Sequence, residues 1–467
     1  MALKARLEGS EQPGLKWGPF TTRIPFYHTR VEWPELWQGL IVAGATGLGL
    51  VPILVRDFGM SFEVAIAMIF IHSVLLSSAP ILFGEPFAPG WVTPALPLVL
   101  LYLLGDASPY QTSLERIQAM TALSIDFALI VFILGVTGLG AKFIEWLPPA
   151  LKGGIIMGAA IAALKRVFLD DYDRFLGAQP ISSTVAIGLC LILTFSIPIQ
   201  FYKTRWMWLR RLAGLGLLPG FLIAAAIGPF VVNPFVEGAG PEVVYAIEWG
   251  ILIPPFGELF HQVSPFSIGW PPLSMFIAGI PLALMGYTIL FGDLVTGIEV
   301  LRAATPDRPD EKISIDVSRS HLSLAIRNFL MALFAPFFPS QGCLWTGVHV
   351  IIVQRWREGR KEMDSLFGGI FSYYVFGIPL LYLVQPIVTG LKPLMGIALS
   401  LTLVLTGFAC SYVAMAIPRL PIERGVVILT GVSLAIFDPW VGMTIGIVAT
   451  LTLVGVGGAG RKRESAD

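Results

Sequence analysis

Eight ionisable side chains lie within or beside the apolar stretches of this sequence and are the first candidates for chemistry. A charged group inside a membrane-spanning segment is costly, so each one is a functional candidate. Asp293 ends the stretch Gly-Tyr-Thr-Ile-Leu-Phe-Gly-Asp of residues 286–293. It could carry a proton, ligate Na⁺ or anchor a neighbouring helix, and these roles stay open. The eight residues are His72, Glu85, Asp126, Lys152, Asp293, Glu299, Arg327 and His349.

Glu85 lies in a stretch rich in Pro and Gly, residues 83–94, that leads into the short apolar segment 91–105. A similar stretch, residues 336–347, leads into the short apolar segment 341–355. Both segments are too short to cross a bilayer alone, which favours paired half-helices that meet near the membrane midplane. Two helix N-termini directed at one point suit an anion or a polarised carbonyl, but a re-entrant segment that only packs gives the same pattern.

The remaining intramembrane candidates have structural interpretations. Asp126 could relay a proton, although a structural pair with Lys152 or Arg166 is favoured. His72 and His349 are single imidazoles in apolar surroundings, where a hydrogen-bonded core residue is more common than a ligand.

Enzymatic motifs are missing from the sequence. It contains no Walker-type phosphate loop, no His-Glu-x-x-His and no Gly-x-Ser-x-Gly elbow. The three cysteines are scattered through apolar runs, which does not suit a thiolate metal site. We therefore expect no enzymatic activity, no cofactor and no metal site, and energy from an ion gradient or from the solute's own gradient.

The composition indicates an integral membrane protein. Hydrophobic residues make up 55% of the 467 residues and charged residues 13%, well below the roughly 25% of soluble domains. The net charge is zero, which argues against a nucleic-acid partner. Apolar stretches recur along the chain and predict an all-α polytopic fold of about fourteen segments. They are 35–55, 61–83, 91–105, 115–138, 148–166, 181–199, 212–232, 274–301, 319–338, 341–355, 365–385, 392–416, 423–437 and 439–457.

Lys and Arg in the connections favour one side of this arrangement, which the positive-inside rule assigns to the cytoplasm. Both termini are then cytoplasmic, in a protein expected in the cell (inner) membrane. The predicted divisions are a cytoplasmic or interfacial segment 1–34, a first repeat 35–232, an extracytoplasmic loop 233–273, a second repeat 274–457 and a tail 458–467.

Several short motifs, in the same order along the chain, resemble the bacterial uracil permeases and the wider nucleobase-ascorbate transporters. They begin with Gly-Ala-Thr at residues 44–46 and Val-Pro-Ile-Leu at 51–54, in the first helix. The others are Gly-Glu-Pro-Phe-Ala at 84–88, Trp-Leu-Pro-Pro-Ala-Leu-Lys-Gly at 146–153, Gly-Asp-Leu-Val-Thr-Gly-Ile at 292–298 and Phe-Phe-Pro-Ser-Gln-Gly at 337–342.

The resemblance implies a seven-plus-seven inverted repeat with a core domain (helices 1–4 and 8–11), a gate domain (helices 5–7 and 12–14) and two broken half-helices. It also implies a solute held between helices 3, 8 and 10, in a protein that forms a homodimer. The same architecture is shared by sulfate permeases and bicarbonate transporters.

The chain departs from the nucleobase pattern at the residues that grip the base. Ile289 and Thr346-Gly347 stand where that family has glutamates, Asp293 stands at its helix 8 histidine, and Gln38 at its helix 1 histidine.

Two transport functions follow. The first is a secondary active transporter for a nucleobase-like or other small organic solute, coupled to H⁺ or Na⁺. The alternative is a carrier or exchanger of small anions such as sulfate, a carboxylate or bicarbonate, which the missing glutamates and the facing half-helices favour. A passive channel or a membrane-embedded enzyme is the contrasting class. Asp293 and Glu85 are the predicted coupling residues. The predicted solute contacts are Gln38, Phe87, Ala88, Tyr287, Thr288, Ser340, Gln341 and Gly342.

Overall fold

The computed structural model describes residues 6–25, 27–40, 47–105, 108–140, 142, 147–203, 205–214, 218–338, 341–374 and 378–455. It is predominantly helical, as expected, and the one departure is a short antiparallel hairpin near the N-terminus in which Trp17 pairs with Phe20.

The first half of the described chain carries the hairpin and ten helices. In order these are β1 (Leu15–Trp17), β2 (Phe20–Thr22), α1 (Trp33–Gln38), α2 (Val51–Asp57), α3 (Phe62–Leu82), α4 (Leu96–Leu104), α5 (Ser113–Thr137), α6 (Pro149–Lys165), α7 (Pro180–Phe195), α8 (Ile197–Lys203), α9 (Met207–Gly214) and α10 (Leu218–Ile227).

The second half of the described chain carries eleven helices. They are α11 (Phe256–Val263), α12 (Pro265–Ile268), α13 (Leu273–Ala304), α14 (Val317–Phe334), α15 (Thr346–Arg357), α16 (Leu366–Tyr374), α17 (Ile378–Leu381), α18 (Gln385–Leu391), α19 (Met395–Ala416), α20 (Pro421–Ile436) and α21 (Pro439–Ala449).

Local sequence signals set several helix starts. The Ser61 side chain accepts a hydrogen bond from Val64 N at the start of α3, and Asp316 caps α14 in the same way. Thr112 and Glu115 form a reciprocal capping box at the start of α5. Each cap satisfies backbone N–H groups that have no partner inside the helix.

The helices pack as two groups, each drawn from both halves of the chain. Group I comprises α3, α5, α13, α14, α15 and α16, and its most extensive contacts are those of α5 with α13 and α14. Group II comprises α6, α7, α10, α19, α20 and α21, with α6 packed against both α19 and α20. The core and gate domains implied by the resemblance would also each take helices from both halves.

Glycines allow the closest helix approach in group II. A Cβ at Gly154 of α6 would lie 2.5 Å from Cβ of Thr430 on α20, and one at Gly158 would lie 2.9 Å from Cβ of Leu434. Small residues of this kind let membrane helices pack backbone to backbone.

Four of the described helical segments are long and apolar enough to span a bilayer: 62–82, 113–137, 273–307 and 385–416. The predicted span 181–199 is bent in the structure, because α7 ends at Phe195 and α8 leaves it at 62°, and a single broken span stays a prediction. Since α7 ends two residues before the Ile-Pro of residues 197–198, the break agrees with the restriction that proline places on a helix. The total of fourteen spans and the inverted repeat stay predictions.

The N-terminal segment and residues 233–273 lie at opposite ends of the molecule. The helix α13 begins directly after residues 233–273 and ends at Ala304, and Gly9 N donates to Asp310 O at 2.8 Å just beyond that end. The predicted loop 233–273 itself contains the short helices α11 and α12, of which α11 packs on α3.

Candidate functional site

Two non-helical segments cross each other. One connects α3 to α4, and the other connects α14 to α15. Trp91 and Gln341 form an antiparallel bridge, Gly342 N donates to Gly90 O at 2.7 Å, and Trp345 N donates to Ala88 O at 2.8 Å. A Cβ at Gly342 would lie 2.6 Å from Gly90 O, so this close crossing requires glycine. Residues 341–345 are used in this pairing, which is why α15 begins at Thr346 rather than at the predicted residue 341.

Helices α4 and α15 both start at this crossing. A single 3₁₀ turn, Thr93–Ala95, precedes α4, and neither helix has a side chain that caps its first N–H groups. At α4 the N–H groups of Ala95 and Leu96 donate to carbonyls of the 3₁₀ turn, so this region gains its partial positive charge from the dipoles of both helices and from the first turn of α15.

A cavity of about 380 Å³ lies beside the crossing, between group I and group II. Group II contributes one face of α19, with Thr402 and Thr406 spaced one turn apart, together with Phe195 at the end of α7. The described lining residues are Gly47, Gly49, Leu50, Ser73, Leu76, Gly90, Trp91, Thr93, Pro94, Leu96, Phe195, Asp293, Leu344, Trp345, Thr346, Tyr374, Tyr382, Leu399, Thr402, Leu405, Thr406, Ala409 and Cys410.

Asp293 is the one carboxylate in this described lining. It lies on α13, is partly exposed to the cavity, and forms no ion pair with a described residue. Trp91 adds a donor, because its buried indole Nε1–H has no partner among the described residues. The cavity therefore combines one acid with several groups able to donate hydrogen bonds.

Buried polar side chains of group I hold the crossing in place. The Asn328 amide accepts from Gln341 N at 2.8 Å and donates to Gln341 O at 2.9 Å. Arg327 Nη2 donates to Gly342 O at 3.2 Å, and His72 Nε2 is hydrogen-bonded to Ala335 O at 2.8 Å. These side chains are hydrogen-bond partners for backbone groups of a non-helical segment. Such partners are needed because a bilayer core contains no water to take their place.

Four of the predicted solute contacts belong to the crossing and not to the described lining. Gln341 and Gly342 pair their backbones with residues 90 and 91, and Ala88 N donates to His349 Nδ1 at 3.2 Å. Phe87 is buried, with its ring 5.8 Å from that of His349. These four residues therefore support the lining residues and do not themselves line the cavity.

Glu85 and Asp293 are not brought together. Glu85 is buried, its Oε2 accepts a hydrogen bond from the Ser320 hydroxyl, and its Oε1 lies 3.5 Å from Arg319 Nε. It is absent from the described lining of the cavity. Its predicted coupling role stays a prediction that would act through Arg319 and not by direct contact with a solute.

The other predicted contacts also lie away from the cavity. Tyr287 Oη is hydrogen-bonded to His321 Nε2 at 2.9 Å, and the Thr288 hydroxyl donates to Leu284 O at 3.0 Å. Gln38 is the half-buried last residue of α1 and is absent from the described lining. Ser340 falls outside the described residues.

Sequence reasoning missed the aromatic and threonine residues of the lining. Trp91 and Trp345 each adjoin a predicted half-helix, and Thr402 and Thr406 form a polar stripe at i, i+4 within an apolar span. Both patterns are visible in the sequence, but nothing local indicates that α19 faces the crossing.

The suggested ion pair of Asp126 with Arg166 is not formed. Arg166 pairs with Asp171 and lies 3.8 Å from Asp57 Oδ2, whereas Asp126 on α5 faces Gly279 of α13.

No protein-family model matches this sequence, and no curated protein matches it. Among solved structures, the transmembrane domain of the cyanobacterial bicarbonate transporter BicA matches 90% of this chain and 99% of its own length, with a TM-score of 0.51 and 13% identity. SLC26A9 matches 90% of this chain with a TM-score of 0.54 and 15% identity. The chain has the fold of these two proteins.

The match covers 65% of SLC26A9, so this chain spans just under two thirds of that protein's length. A murine structure titled as the Slc26a9 anion transporter in the inward-facing state matches 91% of this chain and 68% of its own, with a TM-score of 0.48 and 14% identity. The matches to BicA and SLC26A9 support the shared fold implied by the resemblance, but not the nucleobase-ascorbate family itself. The fold and the long apolar helices together identify an integral membrane protein.

Proposed function

We propose that this chain is a secondary transporter that moves a small anion, of the sulfate, carboxylate or bicarbonate type, by alternating access. The observation that carries the proposal is the cavity between the two helix groups, where α4 and α15 both present their N-terminal ends. An anion gains from the dipoles of the two helices and from the N–H groups at the start of α15, in a region with little competing water. The cyanobacterial bicarbonate transporter BicA shares the fold and so favours an anion over a nucleobase.

Residues from both sides of the cavity would contact the proposed anion. Trp91 and Thr93 of the crossing and Thr346 of α15 surround the helix ends, and Thr402 and Thr406 of group II complete the lining. Movement of one group against the other would then expose the same contacts to each side of the membrane in turn.

Asp293 supplies the proposed coupling to H⁺ or Na⁺. An ionised carboxylate in the cavity repels an anion, because like charges repel each other strongly where water is scarce. A proton or Na⁺ bound at Asp293 removes that repulsion, so anion binding and cation binding favour each other. Such mutual dependence is the thermodynamic basis of coupled transport.

The test is Asp293→Asn in purified protein reconstituted into liposomes. We expect uphill accumulation driven by an ion gradient to be lost, while anion binding or exchange is retained, because asparagine mimics the neutral acid but cannot change its charge. Glu299→Gln is the matched control: it lies on the same helix, and its exposed side chain pairs with Arg302 at 2.8 Å. Unchanged concentrative uptake in Asp293→Asn would remove Asp293 from the mechanism.

A nucleobase-like solute is the second candidate, favoured by the sequence resemblance and by the aromatic rings of the lining. Trp91, Trp345, Tyr374, Tyr382 and Phe195 could stack on a planar ring. A thermal-shift screen against nucleobases, small carboxylates and inorganic anions separates the two, because a ligand that binds the native state raises its apparent stability. A saturable shift with a purine or pyrimidine alone would favour this candidate over the anion.

A further inference from the structure

The segment that follows α7 leaves the helix bundle at a defined depth. At the start of α7, the N–H groups of Ile181 and Ser182 donate to the Glu242 carboxylate at 3.0 and 2.8 Å, which fixes that end beside residues 233–273. Sixteen helical residues rise about 24 Å, which is most of the roughly 30 Å of a bilayer core. The 62° bend into α8 therefore occurs away from residues 233–273, toward the end of the molecule where the N-terminal segment lies.

This segment is strongly basic. Lys203, Arg205, Arg210 and Arg211 occur within nine residues, and the sequence contains no Asp or Glu between Asp173 and Glu237. In the described part of the chain, neither Lys203 nor Arg205 forms an ion pair, and the guanidinium of Arg205 lies 4.5 Å from the ring centre of Phe201. The positive charge of this region is thus not neutralised by nearby carboxylates.

The same segment displays a row of stacked aromatic rings. The ring centroids of Tyr202 and Trp206 are 5.2 Å apart with planes at 23°, and those of Trp206 and Trp208 are 6.0 Å apart at 18°. The three side chains are 41–61% exposed, and Ile197 at the start of α8 is 83% exposed. Trp and Tyr concentrate at membrane–water interfaces because their rings are apolar but carry a polar group.

We propose that residues 197–211, which we call the basic aromatic segment, bind anionic phospholipid headgroups at the membrane surface. The exposed Ile197, Phe201 and Trp206 insert among the lipid chains, while Lys203 and Arg205 contact the phosphates. Clusters of four to eight cations beside a spanning helix are attracted to an anionic leaflet, and each cation near the surface adds to that attraction. Lipid fits better than a soluble acidic partner, because the exposed side chains of Ile197, Phe201 and Trp206 are apolar and lie beside the cations, where a lipid layer can bury them.

The experiment uses the full-length protein in nanodiscs of phosphatidylcholine, with or without added phosphatidylglycerol. It measures thermal stability and, by native mass spectrometry, the phosphatidylglycerol that remains bound after transfer to detergent. The variant Lys203→Gln/Arg205→Gln removes two cations of the basic aromatic segment. The matched control, Arg302→Gln/Lys361→Gln, removes two exposed cations at the same end of the molecule but outside the segment.

We expect phosphatidylglycerol to stabilise the wild type and the control, and the Lys203/Arg205 variant to lose roughly tenfold or more in apparent affinity for it. Added salt should weaken the wild-type effect, because screening reduces interactions between exposed charges. Equal phosphatidylglycerol retention in variant and wild type would overturn the proposal. So would a change of the variant from dimer to monomer in phosphatidylcholine alone, which would assign this surface to a second copy of the chain. Neither result depends on which solute is transported.

Discussion

Arg308 at one end of the molecule and Arg166 at the other are both buried cations, but they join different parts of the fold. Arg308 donates to Asp310 at 2.7 Å and lies 3.7 Å from Glu311, and Arg6 reaches the same two acids at 2.8 and 4.0 Å. The side chains of both arginines are 0–1% exposed. This cluster connects the N-terminal segment to the turn between α13 and α14. It therefore involves only group I and the N-terminal segment that packs on it.

The cluster at the opposite end connects the two groups. Asp57 ends α2, which packs on α3 of group I, and its carboxylate lies 3.8 Å from Arg166 and 3.6 Å from Arg174. Both arginines follow α6 of group II and pair in turn with Asp171. The ion pairs of Asp57 therefore join the two groups at this end, and Asp171 fixes the two arginines on the side of group II.

The two clusters therefore differ in whether their ion pairs persist or must break when the two helix groups move against each other. On the proposed alternating movement, the Arg308 cluster moves as one body with group I, whereas the Asp57 contacts separate whenever that end opens. The first should determine stability, and the second should determine which side of the membrane the cavity faces.

The largest expected effect comes from Arg308→Met. Its removal leaves buried Glu311 with Arg6, 4.0 Å away, as its remaining cation in the described cluster, and breaking a buried pair by deleting one partner costs roughly 3–5 kcal/mol. We expect a large fall in thermal stability, measured by fluorescence-detected size exclusion after heating.

The control for this prediction is Arg357→Met. Arg357 pairs with Asp307 nearby, but the two side chains are 41% and 45% exposed, so the expected loss is about 0–1 kcal/mol. Similar losses in both variants would contradict the view that burial makes the Arg308 cluster a structural anchor.

A smaller effect, on conformation and not on folding, is expected for Asp57→Arg. The new cation faces Arg166 and Arg174, so repulsion should favour separation of the groups at that end. A weakly exposed pair of this kind is worth on the order of 1–2 kcal/mol, or about ten-fold in the ratio of open to closed molecules. The measurement is the labelling rate of a single cysteine introduced at Thr402, in a background without the three native cysteines.

Charge exchange sharpens the same prediction. Adding Arg174→Glu to Asp57→Arg restores an opposite pair across the groups and should return the labelling rate part of the way to that of the parent. If the double variant labels as fast as Asp57→Arg alone, Asp57 acts through its own helix and not through a contact between groups.

The smallest expected effect is a pH dependence at the Arg308 cluster. Hydrogen bonds from Arg308 and Arg6 hold the pKa of Asp310 well below its usual range, although burial opposes them. A carboxyl whose pKa is lowered by folding stabilises the protein above its unfolded pKa, near 4, and this contribution is lost as the pH falls through the lowered value. The stability advantage of the wild type over Asp310→Asn should therefore be constant from about pH 7 to pH 5 and shrink only below about pH 4. An advantage that already shrinks between pH 7 and pH 5 would show that Asp310 is not held ionised by its arginines.

The interrupted segments were the most predictable part of the site. Their Pro and Gly content and the short apolar runs that follow them indicated two half-helices, and the structure contains α4 and α15 at those places. Asp293 was also predictable as a candidate, because an acid in a long apolar helix is rare. The register of the crossing was not predictable, since Gln341 and Gly342 pair with Trp91 and Gly90, which lie 250 and 252 positions away in the chain.

Glu85 marks the limit of such reasoning. In the sequence it resembles Asp293, as an acid beside an apolar segment, and both were predicted to couple transport. The structure gives Glu85 the neighbours Ser320 and Arg319, and places Asp293 in the cavity without an ion pair among the described residues. Nothing close to either residue in the sequence distinguishes these two environments.

Hydropathy, helix caps and helix-breaking residues act over a few positions, so the sequence by itself determined the membrane character, most helix starts and the two broken segments. Which buried charges meet was decided by tertiary structure. Arg6 reaches Asp310 across 304 positions, and Glu35 reaches Arg355 across 320. Burying such charges is tolerated only when partners are present, and those partners come from whichever helices pack together. The same packing brings α19 against the 3₁₀ turn that precedes α4 and so forms the cavity on which the proposed function rests.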